Sequence, residues 1–249
     1  LNCMIYPKRI ISLVPSLTEL ICELGLRDQL VGCTKYCVHP SDLLKPAYPL
    51  KEGRTEKITI IGGTKNIHFD KVEALEPGLI VANKEENTKE MVERLQQKYK
   101  VVVTDIKTLD DADKATRELA KIWDLDEQAE AIIKANRFAL PAPVDQLKRA
   151  LYLIWRKPWM SIGHDTYIHD MMQRFGYANV CGDQTRYPSL NETDIKTLAP
   201  EVVLLSSEPF PFKQKNVNEI QQMLPEAEVK LVDGELYSWY GARLGKLAS

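Results

Sequence analysis

No stretch of this chain stays apolar for the roughly 20 residues that a membrane-spanning helix needs. Charge of one sign is equally scarce, with 33 basic side chains against 35 acidic ones. The first absence excludes a transmembrane helix, and the second gives no sign of nucleic acid or an anionic membrane as partner. Cysteine is sparse: Cys3, Cys22, Cys33, Cys37 and Cys181 make an odd number in a chain of 249 residues, which argues against a disulfide framework. Cys33 and Cys37 lie close in sequence, but no second pair follows to complete a zinc site of about four ligands. These thiols read as buried or idle. The four histidines, His39, His68, His164 and His169, are scattered. His164 and His169 do not share a helix face, so solvated or capping roles fit them and no metal site is expected. Catalytic signatures are missing too: there is no G-x-S-x-G, no P-loop and no G-x-G-x-x-G. Gly62-Gly63-Thr64-Lys65 imitates part of a phosphate loop, but Ile58 stands where an earlier glycine is required and Thr64 where the lysine belongs. It reads as a glycine turn that lets backbone approach a ligand. With no acid–base pair or nucleophile in view, the reading is a non-enzyme.

What is present is an ordinary soluble composition, 44% hydrophobic and 27% charged, long enough for two lobes. The start, Leu1-Asn2-Cys3-Met4, has neither the basic nor the apolar region of a secretory signal. Two readings stay open: a leader left out of this chain, or a natural start at Met4 inside the cell. A lipidated Cys3 is a third, weaker one.

Strand and helix signals alternate. Strands are expected at Arg9–Val14, Leu30–Thr34, Leu79–Ala82 and Val101–Thr104, with helices at Ser16–Leu24, Phe69–Leu75 and Thr88–Lys98. Ser16 with Glu19 has the spacing of a capping box, and Gly25 suits a helix stop. Tyr36–Gly63 reads mostly as loop. Two helices without an intervening strand follow, Asp110–Trp123 and Asp126–Leu140. The alternation then restarts: strands at Arg149–Trp155, Val202–Ser206 and Val229–Val232, helices at Thr166–Phe175, Glu192–Leu198 and Asn216–Met223. This is βαβ logic, which implies mostly parallel sheets covered by helices. The expected architecture is α/β: a lobe over residues 1–108, a helical connector with one long bridging helix over 109–147, and a second lobe over 148–249. Ligand would sit in a stiff cleft at the carboxyl ends of the strands.

Aromatic residues gather in the turns of the second half. Trp155 and Trp159 flank Arg156-Lys157-Pro158, and Tyr187 precedes Pro188. Phe210 and Phe212 alternate with prolines, and Tyr237, Trp239 and Tyr240 follow the last strand. Aromatics beside a few polar groups suit a bulky, partly apolar ligand.

The segments Arg9-Ile-Ile-Ser-Leu-Val-Pro-Ser-Leu-Thr-Glu19, Leu30-Val-Gly-Cys-Thr-Lys-Tyr36 and Phe69 to Ala82 carry a resemblance. With Asp165-Thr166, Gly176-Tyr-Ala-Asn179, Arg186-Tyr187-Pro188 and Pro200-Glu-Val-Val203, the chain resembles the cobalamin-type substrate-binding proteins of ABC importers. These are class III binding proteins of the helical-backbone metal receptor superfamily, with ferric-siderophore and haem binders as kin. The resemblance runs nearly the whole length. It implies two α/β lobes, small motion on binding, a cell-envelope location and a permease as partner. It also implies a monomer, and a ligand that is cargo rather than a catalytic cofactor. Ser16, Tyr36, Thr64 and Asn83 would serve the ligand from the first lobe, the last two standing where cobalamin binders have tryptophans. Tyr187 matches in the second lobe, where Trp155, Trp159 and Trp239 would add apolar contact and Arg156, Arg186 and Arg243 polar contact. Asp70 and Glu192 would dock the permease. The same residues leave a ferric siderophore open, as well as haem, with Tyr36 or His39 as axial ligand. An intracellular corrinoid-handling or sensing protein without a permease is the reading of another class.

Overall fold

Two strands whose first four residues are apolar, Leu79–Asn83 and Val202–Ser206, are buried along their whole length. That is the mark of parallel strands covered on both faces. Each is a central strand of its own sheet in the computed structural model, which describes residues 6–44 and 57–247. Cys3, with its expected lipidation, therefore falls outside the described residues, as does part of the Tyr36–Gly63 loop.

The chain divides into two compact units. The first comprises the described residues of Leu1–Ile106, Asp111–Phe138 and Tyr240–Ser249. The second comprises Lys107–Asp110 and Ala139–Trp239. In the first, strands β1 (Ile10–Ser12), β2 (Leu30–Cys33), β3 (Thr59–Ile60), β4 (Leu79–Asn83) and β5 (Val101–Thr104) form a sheet of order β3-β2-β1-β4-β5. Every pairing in it is parallel. Helices α1 (Pro15–Glu23), α2 (Phe69–Ala74) and α3 (Lys89–Gln96) connect the strands. Helices α4 (Leu109–Lys121) and α5 (Asp126–Ala139) follow. Arg137 pairs across them with the buried Asp113 at 2.6 Å.

In the second unit, β6 (Lys148–Leu153), β8 (Tyr177–Asn179), β10 (Val202–Ser206) and β11 (Glu228–Val232) give the parallel order β11-β10-β6-β8. Strands β7 (Trp159–Met160) and β9 (Ser189–Leu190) make a small antiparallel ribbon. Helices α6 (Tyr167–Arg174), α7 (Glu192–Leu198), α8 (Gln214–Met223) and α9 (Gly234–Ser238) complete it. The last helix, α10 (Arg243–Leu247), belongs to the first unit. The two parallel α/β sheets agree with the class read from the sequence.

One local expectation fails. Helix α1 does not start at a Ser16 cap. Val14 is its N-cap, without a side-chain bond, and Pro15 takes the first helical position. Proline suits that place, since its ring fixes a helical φ and the N–H it lacks would have had no partner. The helix therefore begins earlier, and Ser16 and Glu19 both become buried. Glu19 is freed for ion pairs with Arg243 at 3.3 Å and Lys246 at 3.5 Å. Thr88 and Thr166, read as the first residues of their helices, are the N-caps, each accepting a backbone N–H of its own helix.

Candidate functional site

In an open parallel sheet, ligands gather at the carboxyl ends of strands where the strand order reverses. In the first unit that point lies between β1 and β4, which lead to opposite sides of the sheet. Asn87, just beyond β4, is buried and ties the region together. Its Oδ1 accepts from the Asn83 N–H at 2.9 Å. Its Nδ2 donates to the carbonyls of Leu13 at 3.3 Å and Thr64 at 2.8 Å. The glycine turn is thereby pinned to the switch point. Gly62 has φ +129°, and a Cβ there would meet the Asn66 carbonyl at 2.5 Å, so a side chain is excluded.

Beside this turn lies a cavity of about 410 Å³, with Lys35, Tyr36, Thr64, Lys65 and His68 in its lining. Tyr36 is 51% exposed, and the Lys35 ammonium sits 5.0 Å from its ring centroid. Among the described residues, no carboxylate lines this cavity. Its walls offer an aromatic face, cations and open backbone, which suits an anionic group on a partly apolar body. A larger hollow of about 770 Å³ lies next to Arg9, Gly78 and Lys100. Those residues precede β1, β4 and β5, at the amino ends of the strands. The smaller cavity lies where this type of sheet binds ligand.

In the second unit the order reverses between β6 and β10. The segments that leave these strands carry Trp155 and Glu208-Pro209-Phe210, joined by the Phe210 N–H to the Ile154 carbonyl at 3.3 Å. Trp155 is 40% exposed and meets Phe210 edge-on at 5.6 Å. Phe210 touches Phe212 at 4.8 Å, and Phe212 stacks on Trp159. Arg156 lies 4.2 Å over the Trp159 ring and forks onto Glu219. Trp155 is thus the exposed end of an aromatic run whose other end is core. Arg186 and Tyr187 hang from the β7–β9 ribbon, held by the Gly163 N–H to the Arg186 carbonyl at 2.7 Å. The Arg186 guanidinium lies 5.5 Å from the Tyr187 ring.

Glu208 was not singled out by the sequence. It is partly buried, and its Oε1 accepts from Ser238 Oγ at 2.7 Å and Trp239 Nε1 at 2.9 Å. Burial holds its carboxyl above the ordinary carboxylate range despite those two donors. His169 is shifted the other way for the same reason, burial disfavouring its imidazolium. Among the described residues no group of three or more His, Cys, Asp and Glu could hold a metal ion.

Residues 10–231 match the model of the periplasmic binding protein family. The chain belongs to that family. A similar curated protein is the uncharacterised ABC transporter substrate-binding lipoprotein YvrC of Bacillus subtilis (strain 168), 24% identical over 80% of this chain and 63% of its own length. Another is the vitamin B12-binding protein of Pectobacterium carotovorum subsp. carotovorum (strain PC1), 30% identical over 50% of this chain and 41% of its own. The chain thus spans less than two thirds of either relative. Among solved structures, a periplasmic heme binding protein from Pseudomonas aeruginosa superposes with a TM-score of 0.79 at 18% identity, covering 97% of this chain and 90% of that one. These findings bear out the resemblance carried by the motifs at the level of family and fold.

This periplasmic binding protein brings Tyr36 and Thr64 to one cavity, and Trp155, Arg156 and Trp159 to one aromatic run. It draws other candidates inward. Asn83 is fully buried, with Nδ2 donating to Thr104 Oγ1 at 2.9 Å and Oδ1 accepting from the Glu85 N–H at 2.8 Å. Trp239 is buried against Glu208. Arg243 is buried beside Glu19, and Ser16 lies inside the first turn of α1. Asp70 and Glu192 are exposed in the first turns of α2 and α7. Asn87 and Glu208 were missed because neither belongs to a motif, and Lys35 and Lys65 because they stand inside quoted segments without being singled out as ligand groups. The signal available was their position, just beyond a predicted strand or in the glycine turn.

Proposed function

We propose that this chain is the solute-binding component of an ABC importer. It binds cobalamin or a related corrinoid without chemical change and delivers it to a permease at the cell envelope. The observation that carries the reading is the pair of switch points, each equipped with an exposed aromatic: Tyr36 in the first unit and Trp155 in the second. Of the expected ligand residues, Tyr36, Thr64, Trp155, Arg156, Arg186 and Tyr187 remain accessible at least in part. Asn83, Trp159, Trp239 and Arg243 support the site from within. The vitamin B12-binding relative favours a corrin. The lysine-bearing cavity, lined by no carboxylate among the described residues, favours the second reading, haem or an anionic ferric siderophore, whose acidic groups would meet Lys35 and Lys65. Asp70 and Glu192 are proposed as the permease-facing acids.

Thermal-shift titration with cyanocobalamin, haem and ferric siderophores tests the ligand, because a molecule that binds only the folded state raises its melting temperature. Cyanocobalamin is expected to stabilise the chain and to quench tryptophan fluorescence at micromolar concentration. Stabilisation by haem or a siderophore alone would replace the first reading with the second, and no response to any would overturn both.

A further inference from the structure

The hollow of about 770 Å³ at the amino ends of the first sheet has no part in the cargo reading. Its lining includes Lys8, Arg9, Lys100 and Lys121. The stretches of chain that bear these cations are pinned together. Trp123 Nε1, two residues after Lys121, donates to the Pro7 carbonyl at 3.0 Å. The Arg9 carbonyl accepts from the Gly78 N–H at 2.9 Å, and the Lys100 carbonyl from the Ile80 N–H at 2.9 Å. Arg9 Nε donates to the Leu75 carbonyl at 2.7 Å. Lys8, Lys100 and Lys121 are exposed and have no ion-pair partner among the described residues. Lys98, two positions before Lys100, is by contrast paired with Glu73, and Lys84 with Asp105 at 2.7 Å. Glu76 is the one carboxylate in the lining among the described residues, and Asp124 beside it accepts from the Tyr6 hydroxyl.

Lys121 suits the carboxyl end of α4, where a cation is favoured, but that effect fades within a turn. It does not account for Lys8 or Lys100, which stand on loops leading into β1 and β5. Like charges gathered without counter-charges repel one another, and an anion laid across them relieves the strain. We propose that this face of the first unit rests on an anionic lipid bilayer. Because the lysines are exposed, water and salt weaken each single contact with an anion. One small anion therefore gains little there. A negatively charged surface meets all the cations at once, and their attractions add. The near balance of charge over the whole chain hides this local excess. The cavity beside Tyr36 lies at the other, carboxyl ends of the same strands, so lipid contact leaves it open to solvent.

The test is co-sedimentation of the whole chain with vesicles, made of equal parts phosphatidylglycerol and phosphatidylcholine or of phosphatidylcholine alone. Binding is expected to the anionic vesicles only, and it should fade as salt rises. Lys8→Gln, Lys100→Gln and Lys121→Gln should each weaken it about fivefold, and the three together about a hundredfold. A control chain with Lys148→Gln, Lys196→Gln and Lys215→Gln, all exposed in the second unit, loses the same charge and should bind as the unaltered chain does. The amino-end triple variant should melt no lower than the unaltered chain at low salt, since its repulsion is relieved. Inorganic pyrophosphate at matched ionic strength should not displace the chain from the vesicles. Absence of binding to anionic vesicles, equal binding to both kinds, an equal loss in the control chain, or displacement by pyrophosphate would each overturn the proposal. The last would assign the hollow to a small soluble anion. Titration with cyanocobalamin reads the other end of the sheet, so either reading can fail while the other stands.

Discussion

Trp155 and Trp159 show at the scale of single residues how four positions separate a surface from a core. Trp155 is expected to touch ligand, whereas Trp159 lies between Arg156 and Phe212. Trp155→Ala should therefore weaken ligand binding while moving the melting temperature little. Trp159→Ala should cost about 3–5 kcal/mol of stability, the usual range for emptying an aromatic core position. Denaturant unfolding and ligand titration of both variants separate the two roles; equal stability losses would refute the division. Glu208 offers a second check. Its carboxyl is raised in the folded state, so the unfolded chain ionises first and stability falls as pH rises above the ordinary glutamate value of 4.5. Glu208→Gln keeps an oxygen for Ser238 and Trp239 but has no charge to bury. Its melting temperature should gain on the unaltered chain as pH rises from about 4.5 toward neutrality, and match it at lower pH. A parallel pair of pH profiles would contradict the assignment.

At the scale of elements, the helix and strand pattern was legible where apolar runs or periodicity lasted about a turn or more. Strands β4 and β10 announce themselves as continuous apolar runs. Helix α3 shows its Thr88 cap and a buried stripe of Met91, Val92 and Leu95. The short pieces β3, β7, β8 and β9 did not, since two or three residues carry no period. Ser16 misled because its spacing to Glu19 imitates a capping box, while the preceding proline decides where the helix begins. Of the candidate site, the aromatics, the glycine turn with Thr64, and the arginines beside the aromatics were legible. Asn87 and Glu208 owe their importance to contacts across strands, which local pattern does not record. Helix α7 holds the proposed permease-facing Glu192, and its N-terminus is set by the reciprocal bonds of Asn191 and Asp194. Asn191→Ala should cost about 1 kcal/mol by denaturant unfolding. It should also reduce transport more than ligand affinity, if a fraying first turn displaces Glu192.

At the scale of the whole molecule, the chain closes on itself. Residues 240–247 return to the first unit, where Gly241, at φ +97°, passes so near α1 that a Cβ would lie 3.1 Å from Leu20 Cβ. Asn136 clasps the segment by donating to the Gly241 carbonyl and accepting from the Gly245 N–H at 2.8 Å. Arg243 and Lys246 meet the carboxylate of Glu19 on α1. Arg243→Ala leaves that buried acid with Lys246 at 3.5 Å. The expected loss is about 3 kcal/mol, the low end for breaking a buried pair. Hydrogen exchange should quicken in α1, far in sequence from the substitution. A loss below about 0.5 kcal/mol, the scale of an ordinary surface change, would count against a buried pair.

This return also sets an order of events during synthesis. Ala139–Trp239 is one uninterrupted stretch of the second unit, threaded between two pieces of the first. On a ribosome adding about 5–20 residues per second, the earlier piece emerges first but lacks its final segment. The first unit to be started is the last to be finished. Glu19 waits through the making of the entire second unit for its cationic partners, and a nascent chain released early would expose that wait as an incomplete N-terminal half.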